Sequence, residues 1–200
     1  MIHTYEGSRS ELRRLLRQRR RALSAQQQRQ AAQKLYRQLV QHPIFRRARH
    51  IAFYLANDGE IDPHYLLKAA QRRNKAIYLP VLARWPRHKM HFQRLRPKES
   101  LSLNRFRIAE PRFQPTQQRA AWTLSLILMP LVGFDEQGGR LGMGGGFYDR
   151  CLAFHNQAPT HRPLLFGLAH ECQKVDQLPI QTWDIRMQSI VTDGGFYSTR

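Results

Sequence analysis

One stretch limits the possible folds more than any other. Residues 124–132 are almost wholly apolar and lead into glycines at 138, 139, 142, 144, 145 and 146, followed by Phe147-Tyr148-Asp149-Arg150. A short apolar run bounded by turn residues reads as a fully buried strand, and a helix is expected to open near Phe147 and run to about residue 154. Strand, glycine loop and helix start together make a phosphate-binding layout. Glycines let backbone N–H groups approach an anion, and a helix end adds unpaired donors with partial positive charge. Two glycines alone would read as a structural turn. Six of them, flanked by Arg140 and Asp149, argue for a ligand: the guanidinium suits phosphate oxygens in a two-pronged contact and the carboxylate suits a metal ion.

The remaining chain supplies strands and helices in alternation. Residues 10–23 read as a helix with Leu12, Leu15, Leu16 and Leu23 near one face. Arg9, Arg13 and Arg17 recur every four residues and should form a row along one side; a solvated helix face would look the same. Ser24 and Gln27 form a capping box for a second helix that ends near residue 41, before Pro43. Strands are expected over 51–56 and 76–82, with a helix between them capped by Asp62 and starting at Pro63. Strand, helix, strand is the unit of a parallel sheet. Glu60 then lies past the carboxyl end of a strand, where open α/β folds bind ligands, and it has no evident capping duty. Weaker signals give short strands at 90–95 and 106–109, with Glu110-Pro111 as a possible site element. Further strands are expected at 163–169 and 189–192. The pattern argues for one α/β domain over residues 1–200, a three-layer α/β/α open sandwich around a mainly parallel sheet.

The formal charge is +19, and residues 1–50 carry thirteen Lys/Arg against Glu6 and Glu11. Such a surface attracts polyanions: nucleic acid, nucleotides, folate polyglutamates or anionic membranes. No RNA-binding motif is legible, nor an aromatic platform beside the basic segment, so nucleic acid is the less favoured reading; Arg19, Arg20 and Arg21 are the residues that would carry it. No apolar run approaches the roughly 20 residues of a spanning helix, and a soluble cytoplasmic protein, working as a monomer, is expected. Cys151 and Cys172 fit neither a zinc site nor a disulfide framework.

The glycine loop lacks the third glycine of a dinucleotide fingerprint, because Phe147 stands there, and there is no Walker lysine. No histidine falls in a metal-ligand pattern and no serine sits in a nucleophile elbow. Asp149 and Asp184 are the carboxylates expected to hold Mg²⁺, which needs only one or two beside phosphate oxygens and water. Each could equally be a cap or an ion-pair partner. Tyr148 is placed to stack on a flat ring.

Pro130, Gly133-Phe134-Asp135 and Arg140-Leu141-Gly142-x-Gly144-x-Gly146-x-Tyr148-Asp149 resemble the signature of the 5-formyltetrahydrofolate cyclo-ligase family, also called 5,10-methenyltetrahydrofolate synthetases. The likeness is greatest to its enterobacterial-type members. The arginine-rich first helix, Glu60-Ile61, Glu110-Pro111 and Trp183-Asp184 extend the resemblance over nearly the whole chain. It implies the open sandwich shared with sugar-phosphate isomerase and CoA-transferase-like domains. It also implies ATP- and Mg²⁺-dependent conversion of 5-formyltetrahydrofolate to 5,10-methenyltetrahydrofolate with release of ADP and phosphate. Carried over by position, ATP contacts fall on Arg9, Arg13, Arg140, Leu141, Gly142, Met143, Gly144, Gly145, Gly146, Phe147 and Tyr148. Folate contacts fall on Leu55, Glu60, Met143, Gly144, Gly145, Gly146 and Phe147. Arg140 and Asp149 are the expected catalytic residues, with Asp149 and Asp184 on magnesium. Arg9 stands where many relatives have lysine, and Gly145 replaces a lysine seen in some.

Overall fold

The computed structural model describes residues 7–156 and 163–199. In chain order the helices are α1 (Arg9–Arg21), α2 (Ala25–Val40), α3 (Pro43–Arg47), α4 (His64–Arg72) and α5 (Phe147–Cys151). The strands are β1 (His50–Ala52), β2 (Ala76–Leu82), β3 (Met90–Arg94), β4 (Leu101–Leu103), β5 (Ala109–Pro111), β6 (Gln118–Arg119), β7 (Leu126–Pro130), β8 (Gly133–Phe134), β9 (Arg140–Leu141), β10 (Leu164–Leu168), β11 (Ser189–Val191) and β12 (Phe196–Ser198).

Eight strands form one sheet in the order β12-β11-β10-β7-β1-β2-β3-β6. The five from β11 to β2 are mutually parallel, and antiparallel strands close both edges. Both faces are buried, which explains the unbroken apolar strands, and side chains alternate strictly between them. Ile51, Ile77, Leu79, Leu126, Leu128, Phe166 and Val191 face a core built with α2, α3 and α4. Ala52, Tyr78, Ile127, Met129, Leu165 and Ile190 face a second core closed by Leu152, Phe134 and Met187, with Phe147 and Tyr148 packed against it. This is the open α/β architecture expected, although the second layer is made largely of short turns and loops rather than long helices.

Local chemistry sets the boundaries. Ser8 caps α1 through a reciprocal box with Glu11, and Ser24 does the same for α2 with Gln27, each worth about 1 kcal/mol. Pro43 does more than stop α2. Its fixed φ opens the short α3, with His42 accepting from Ile44 N–H. Helix α4 starts one residue later than expected, at His64, yet Asp62 Oδ1 still accepts the His64 N–H at 2.9 Å. Leu12 and Leu16 of α1 are fully buried against Val132, Leu141, Val175 and Leu178, contributing roughly 1.5–3 kcal/mol each, and so seat α1 across one end of the sheet.

Four stretches differ from the sequence expectation. The strand expected at 51–56 leaves the sheet after Phe53, because Asp58 and Gly59 both take positive φ (54° and 74°) and turn the chain sharply. The strand expected at 106–109 is instead the turn of the β4–β5 hairpin. Asn104 Oδ1 accepts the N–H groups of Phe106 and Ile108, a side-chain-mimicked turn, and Arg107 is left-handed (φ 58°). Helix α5 stops at Cys151, and residues 153–156 tighten into a 3-10 turn. The β8–β9 hairpin inside the glycine stretch was not expected at all; Asp135 fixes it by accepting from Gly139 N–H at 2.7 Å and from Leu178 N–H at 3.0 Å.

Candidate active site

From β1 the chain crosses to β2 on one side and later returns to β7 on the other, so the loops after β1 and β7 diverge. A crevice must open between them at the carboxyl ends of the parallel strands. A cavity of about 1390 Å³ lies there, above the 300–1,000 Å³ or so typical of a pocket for one small ligand.

One wall is cationic. The four-residue spacing on α1 delivers Arg9, Arg13, Arg17 and also Arg21 to the cavity, so the expected row is real and one turn longer. Arg9 grips Asp184 with both nitrogens, Nη1–Oδ2 at 2.6 Å and Nη2–Oδ1 at 3.2 Å. Asp184 Oδ2 also accepts Gln181 N–H at 2.9 Å. Burial disfavours the Asp184 charge, but the Arg9 hydrogen bond, the Gln181 N–H and the charges of Arg9 and Arg140 hold its carboxyl below the usual range. Arg13 donates from Nε to the Gly142 carbonyl at 2.9 Å. Its pKa is lowered by burial and then by the charge of Arg9, with Asp184 opposing. It is a cation held in place and short of countercharge.

The glycine loop forms the second wall. Gly144 (φ +93°) and Gly146 (φ +62°) occupy the left-handed region, which explains why side chains are missing there. Helix α5 spans only five residues, so the helix-end contribution anticipated for anion binding is small and arginines must supply the charge. Arg140 is 6% exposed; its Nη2 pairs with Asp149 Oδ1, and its buried Nε has no hydrogen-bond partner among the described residues. A buried unpaired donor of this kind costs about 1–3 kcal/mol until an acceptor arrives. The Tyr148 ring lies under the Arg140 guanidinium at 5.9 Å, and its hydroxyl pKa is raised, chiefly by burial. Leu141, expected to contact ATP, instead turns its side chain into the small core under α1.

Behind the loop after β1 stands Arg20, fully buried. It donates to Asp58 O (2.8 Å), Asp58 Oδ2 (2.8 Å) and Leu131 O (3.1 Å), and touches Glu60 Oε1 at 3.8 Å. Asp58 also takes Arg17 and Arg21; burial opposes its charge, yet these three arginines hold its pKa at about 2. Glu60 is the reverse case. Burial pushes it up to about 7, against the pull of Arg20 and of the Asn57 N–H that its Oε2 accepts at 3.1 Å. It therefore has a modest structural duty that the sequence did not reveal. Tyr54 donates to Ile61 O at 2.6 Å and pins the strand to the far side of Glu60.

The third wall is apolar: Leu55, Pro80, Leu82, Met90, Phe106 and Ile108. Phe106 meets Phe147 edge-on at 5.9 Å. Phe106 and Arg20 were missed as site elements, the first because its segment reads as a strand, the second because arginine at a helix end reads as solvated. Glu110 is a brace, with Oε2 accepting Leu82 N–H and Asn104 Nδ2–H, and His170 is buried outside the cavity lining. The segments of Arg9 and Arg13, Leu55 and Glu60, Arg140 to Asp149, and Trp183-Asp184 thus converge on one space.

An open parallel sheet with a switch-point cavity, cationic on one side and apolar on another, is the architecture of an α/β enzyme with its site at the carboxyl ends of the strands. The family model described as the 5-formyltetrahydrofolate cyclo-ligase family matches residues 5–193. Curated 5-formyltetrahydrofolate cyclo-ligases from Escherichia coli K12 and Haemophilus influenzae are similar to the chain. The first is 39% identical over 178 residues, covering 89% of this chain and 96% of the relative, and the second 38% over 183 residues, covering 92% and 96%. The solved 5,10-methenyltetrahydrofolate synthetase of Aquifex aeolicus superposes with a TM-score of 0.82 at 28% identity, over 96% of this chain and 93% of that one. The chain belongs to the 5-formyltetrahydrofolate cyclo-ligase family.

Proposed function

We propose that this cavity is where the chain, as one cyclo-ligase domain, converts 5-formyltetrahydrofolate and ATP into 5,10-methenyltetrahydrofolate, ADP and phosphate. The carrying observation is the meeting of four distant segments around a space large enough for both substrates, with cations on one wall and apolar side chains on another. ATP lies along the Arg9–Arg13 row with its terminal phosphate toward Arg140, whose buried unpaired Nε gains the acceptor it lacks. The pteridine rests on Leu55, Phe106, Met143 and Phe147.

The formyl oxygen attacks the γ-phosphorus and ADP leaves. The folate N10 amine then attacks the activated formyl carbon, its proton departs, and phosphate carries away the former formyl oxygen as the ring closes. No protein nucleophile is needed; placement and charge neutralisation carry phosphoryl transfer. Arg13 and Arg140 neutralise the transferring group. Glu60, poised near neutrality, accepts the N10 proton, since a base works best with a pKa near the working pH.

Magnesium fits this donor set in one way. Asp149 and Asp184 both line the cavity, each paired with an arginine, and among the described residues no cluster of three potential ligands exists. The ion would therefore enter on the nucleotide, with phosphate oxygens completing its sphere, and would supply further neutralisation of phosphate charge. The four segments that build the cavity all belong to one chain, which supports a monomer as the working unit. No helix among the described residues is long and apolar enough to cross a membrane, and both thiols are free; a cytoplasmic setting suits them. The net charge of +19 also favours folates with polyglutamate tails, and equal KM for mono- and polyglutamylated substrate at low salt counts against that.

Purified protein given Mg-ATP and 5-formyltetrahydrofolate should develop the methenyl absorbance in step with ADP, and Asp149→Ala should stop both. Folded protein that turns nothing over under these conditions overturns the assignment.

A further inference from the structure

The opposite end of the sheet is also cationic, and the cyclo-ligase reaction makes no use of it. Residues 12–57 and 63–98 contain no Asp or Glu. The fold gathers part of this excess at the amino ends of β1 and β2. Arg46, Arg47, Arg49, His50, Arg73 and Lys75 line a groove of about 660 Å³ there. Arg46, Arg47 and Arg49 are exposed, and among the described residues none of the groove's cations forms an ion pair with an acid. In the active cavity, by contrast, most arginines are matched to Asp58, Asp149 or Asp184. Lys75 and Arg73 are held in place: Lys75 Nζ donates to Arg46 O and Ala48 O at 2.8 and 2.6 Å, and Arg73 Nη1 to Val40 O at 2.9 Å. Arg49, Arg94 and Arg119 all act electrostatically on His50, whose pKa is lowered first by burial and then by their charges.

A second feature sits at the same end. Trp122 is 61% exposed, braced edge-on against Phe154 at 5.9 Å. It lies three residues before Ser125, whose N–H donates to His50 O at 2.8 Å and whose Oγ accepts His50 N–H. An exposed aromatic at the same end of a sheet as cations that have no acidic partner among the described residues is the combination that binds single strands: cations track phosphates and a ring stacks on a base. The residues first expected to carry nucleic acid, Arg19 to Arg21, do not form this surface. Arg20 is fully buried, and Arg21 is committed to Asp58.

We infer that the groove at the amino ends of β1 and β2, with Trp122, is a binding surface for single-stranded nucleic acid, separate from the catalytic cavity. A concave cationic groove favours this over an anionic membrane, which asks for a broad apolar face to insert.

The probe is a fluorescein-labelled single-stranded RNA of mixed sequence, about 20 nucleotides long, titrated with the full chain at several salt concentrations around 150 mM. Binding should weaken with salt, with a log–log slope near −0.7 per phosphate neutralised. The triple variant Arg46→Glu/Arg47→Glu/Arg49→Glu should bind at least about tenfold more weakly and with a slope shallower by about 2. Trp122→Ala should weaken binding about fivefold or more with the slope unchanged. Both variants should keep wild-type cyclo-ligase kcat and KM, which also shows that they fold. The proposal is overturned if the triple variant binds RNA like wild type, or if saturating ATP with 5-formyltetrahydrofolate displaces the RNA. It is equally overturned if Trp122→Ala leaves affinity unchanged, or if only phosphatidylserine vesicles, and not RNA, bind in a groove-dependent way.

Discussion

Arg9 and Asp184 lie 175 positions apart, yet they meet in a two-pronged ion pair with Nη1–Oδ2 at 2.6 Å. The pair joins the first helix to the penultimate loop across the mouth of the cavity, and Arg9 Nη1 also reaches Pro179 O at 3.1 Å. It serves as a clasp, and it orients the row that carries Arg13. We expect Asp184→Ala to raise KM for ATP about 10-fold or more and to cost about 1–2 kcal/mol of stability, since Arg9 would be left partly buried without its partner. Steady-state kinetics beside urea unfolding separates the two effects. Loss of stability with an unchanged KM would reduce Asp184 to a structural strut. A raised magnesium requirement in the same variant would support its place on the metal.

Arg140 offers a sharper test, because its side chain is almost fully enclosed and its Nε is unpaired. Arg140→Lys keeps the charge but loses the planar fork. If the fork closes on the transferring phosphate, kcat should fall about 10²–10³-fold while KM for folate changes little. Single-turnover methenyl formation measures this, and a fall of less than about threefold would move the phosphate elsewhere.

Much of the architecture was legible because period and capping agree with tertiary packing. The two Ser capping boxes, the strand at Ala76–Leu82 and the apolar run ending at Pro130 all stand within a residue or two of where local chemistry puts them. The glycine loop, the arginine row, Glu60 and Asp184 were recognisable as chemistry, but no spacing rule could say that they meet; that depends on the order β10-β7-β1-β2 and the crevice it opens. The misreadings share a cause. Phe106 looks like a strand residue until Asn104 bends its backbone. Arg20 looks solvated until Asp58 and Leu131 O draw it inside. In both, a side-chain-to-backbone hydrogen bond overrides the pattern, and such bonds leave no periodic trace. Trp122 is legible only as a tryptophan; its exposure at the same end of the sheet as the cationic groove is a property of the fold.

Arg20 therefore carries a stability prediction of its own. Arg20→Met fills much of the volume but removes the Arg20 hydrogen bonds to Asp58 and to Leu131 O. Asp58 keeps Arg17 and Arg21, and Leu131 O keeps Gln173 Nε2 at 2.7 Å, so unfolding in urea should show a loss of about 1–3 kcal/mol. Adding Asp58→Asn should recover part of it, since the two are coupled. Simple additivity of the two substitutions would mean that the buried contact holds nothing together.

Glu60 sets the pH dependence. Its ordinary pKa of 4.5 is raised to about 7 in the fold, so the folded chain holds a proton over a range in which the unfolded chain has released it. Relative to Glu60→Gln, wild-type stability should be flat below about pH 4.5, fall as pH rises between 4.5 and about 7, and level off above, with a total change of about 3 kcal/mol from the shift. Catalysis should run the other way, because the carboxylate is the form that can accept the N10 proton. The wild-type kcat/KM should climb through pH 7 and plateau, whereas Glu60→Gln should be lower by about 10²-fold or more and show no such limb. Arg20 opposes the upward shift, so its removal should move the limb to higher pH wherever enough folded enzyme survives to assay. A stability curve that levels off at the pH where the activity limb has its midpoint, the two sloping in opposite directions, would tie both to the same proton. A Glu60→Gln enzyme that keeps the wild-type limb would hand the base to another group.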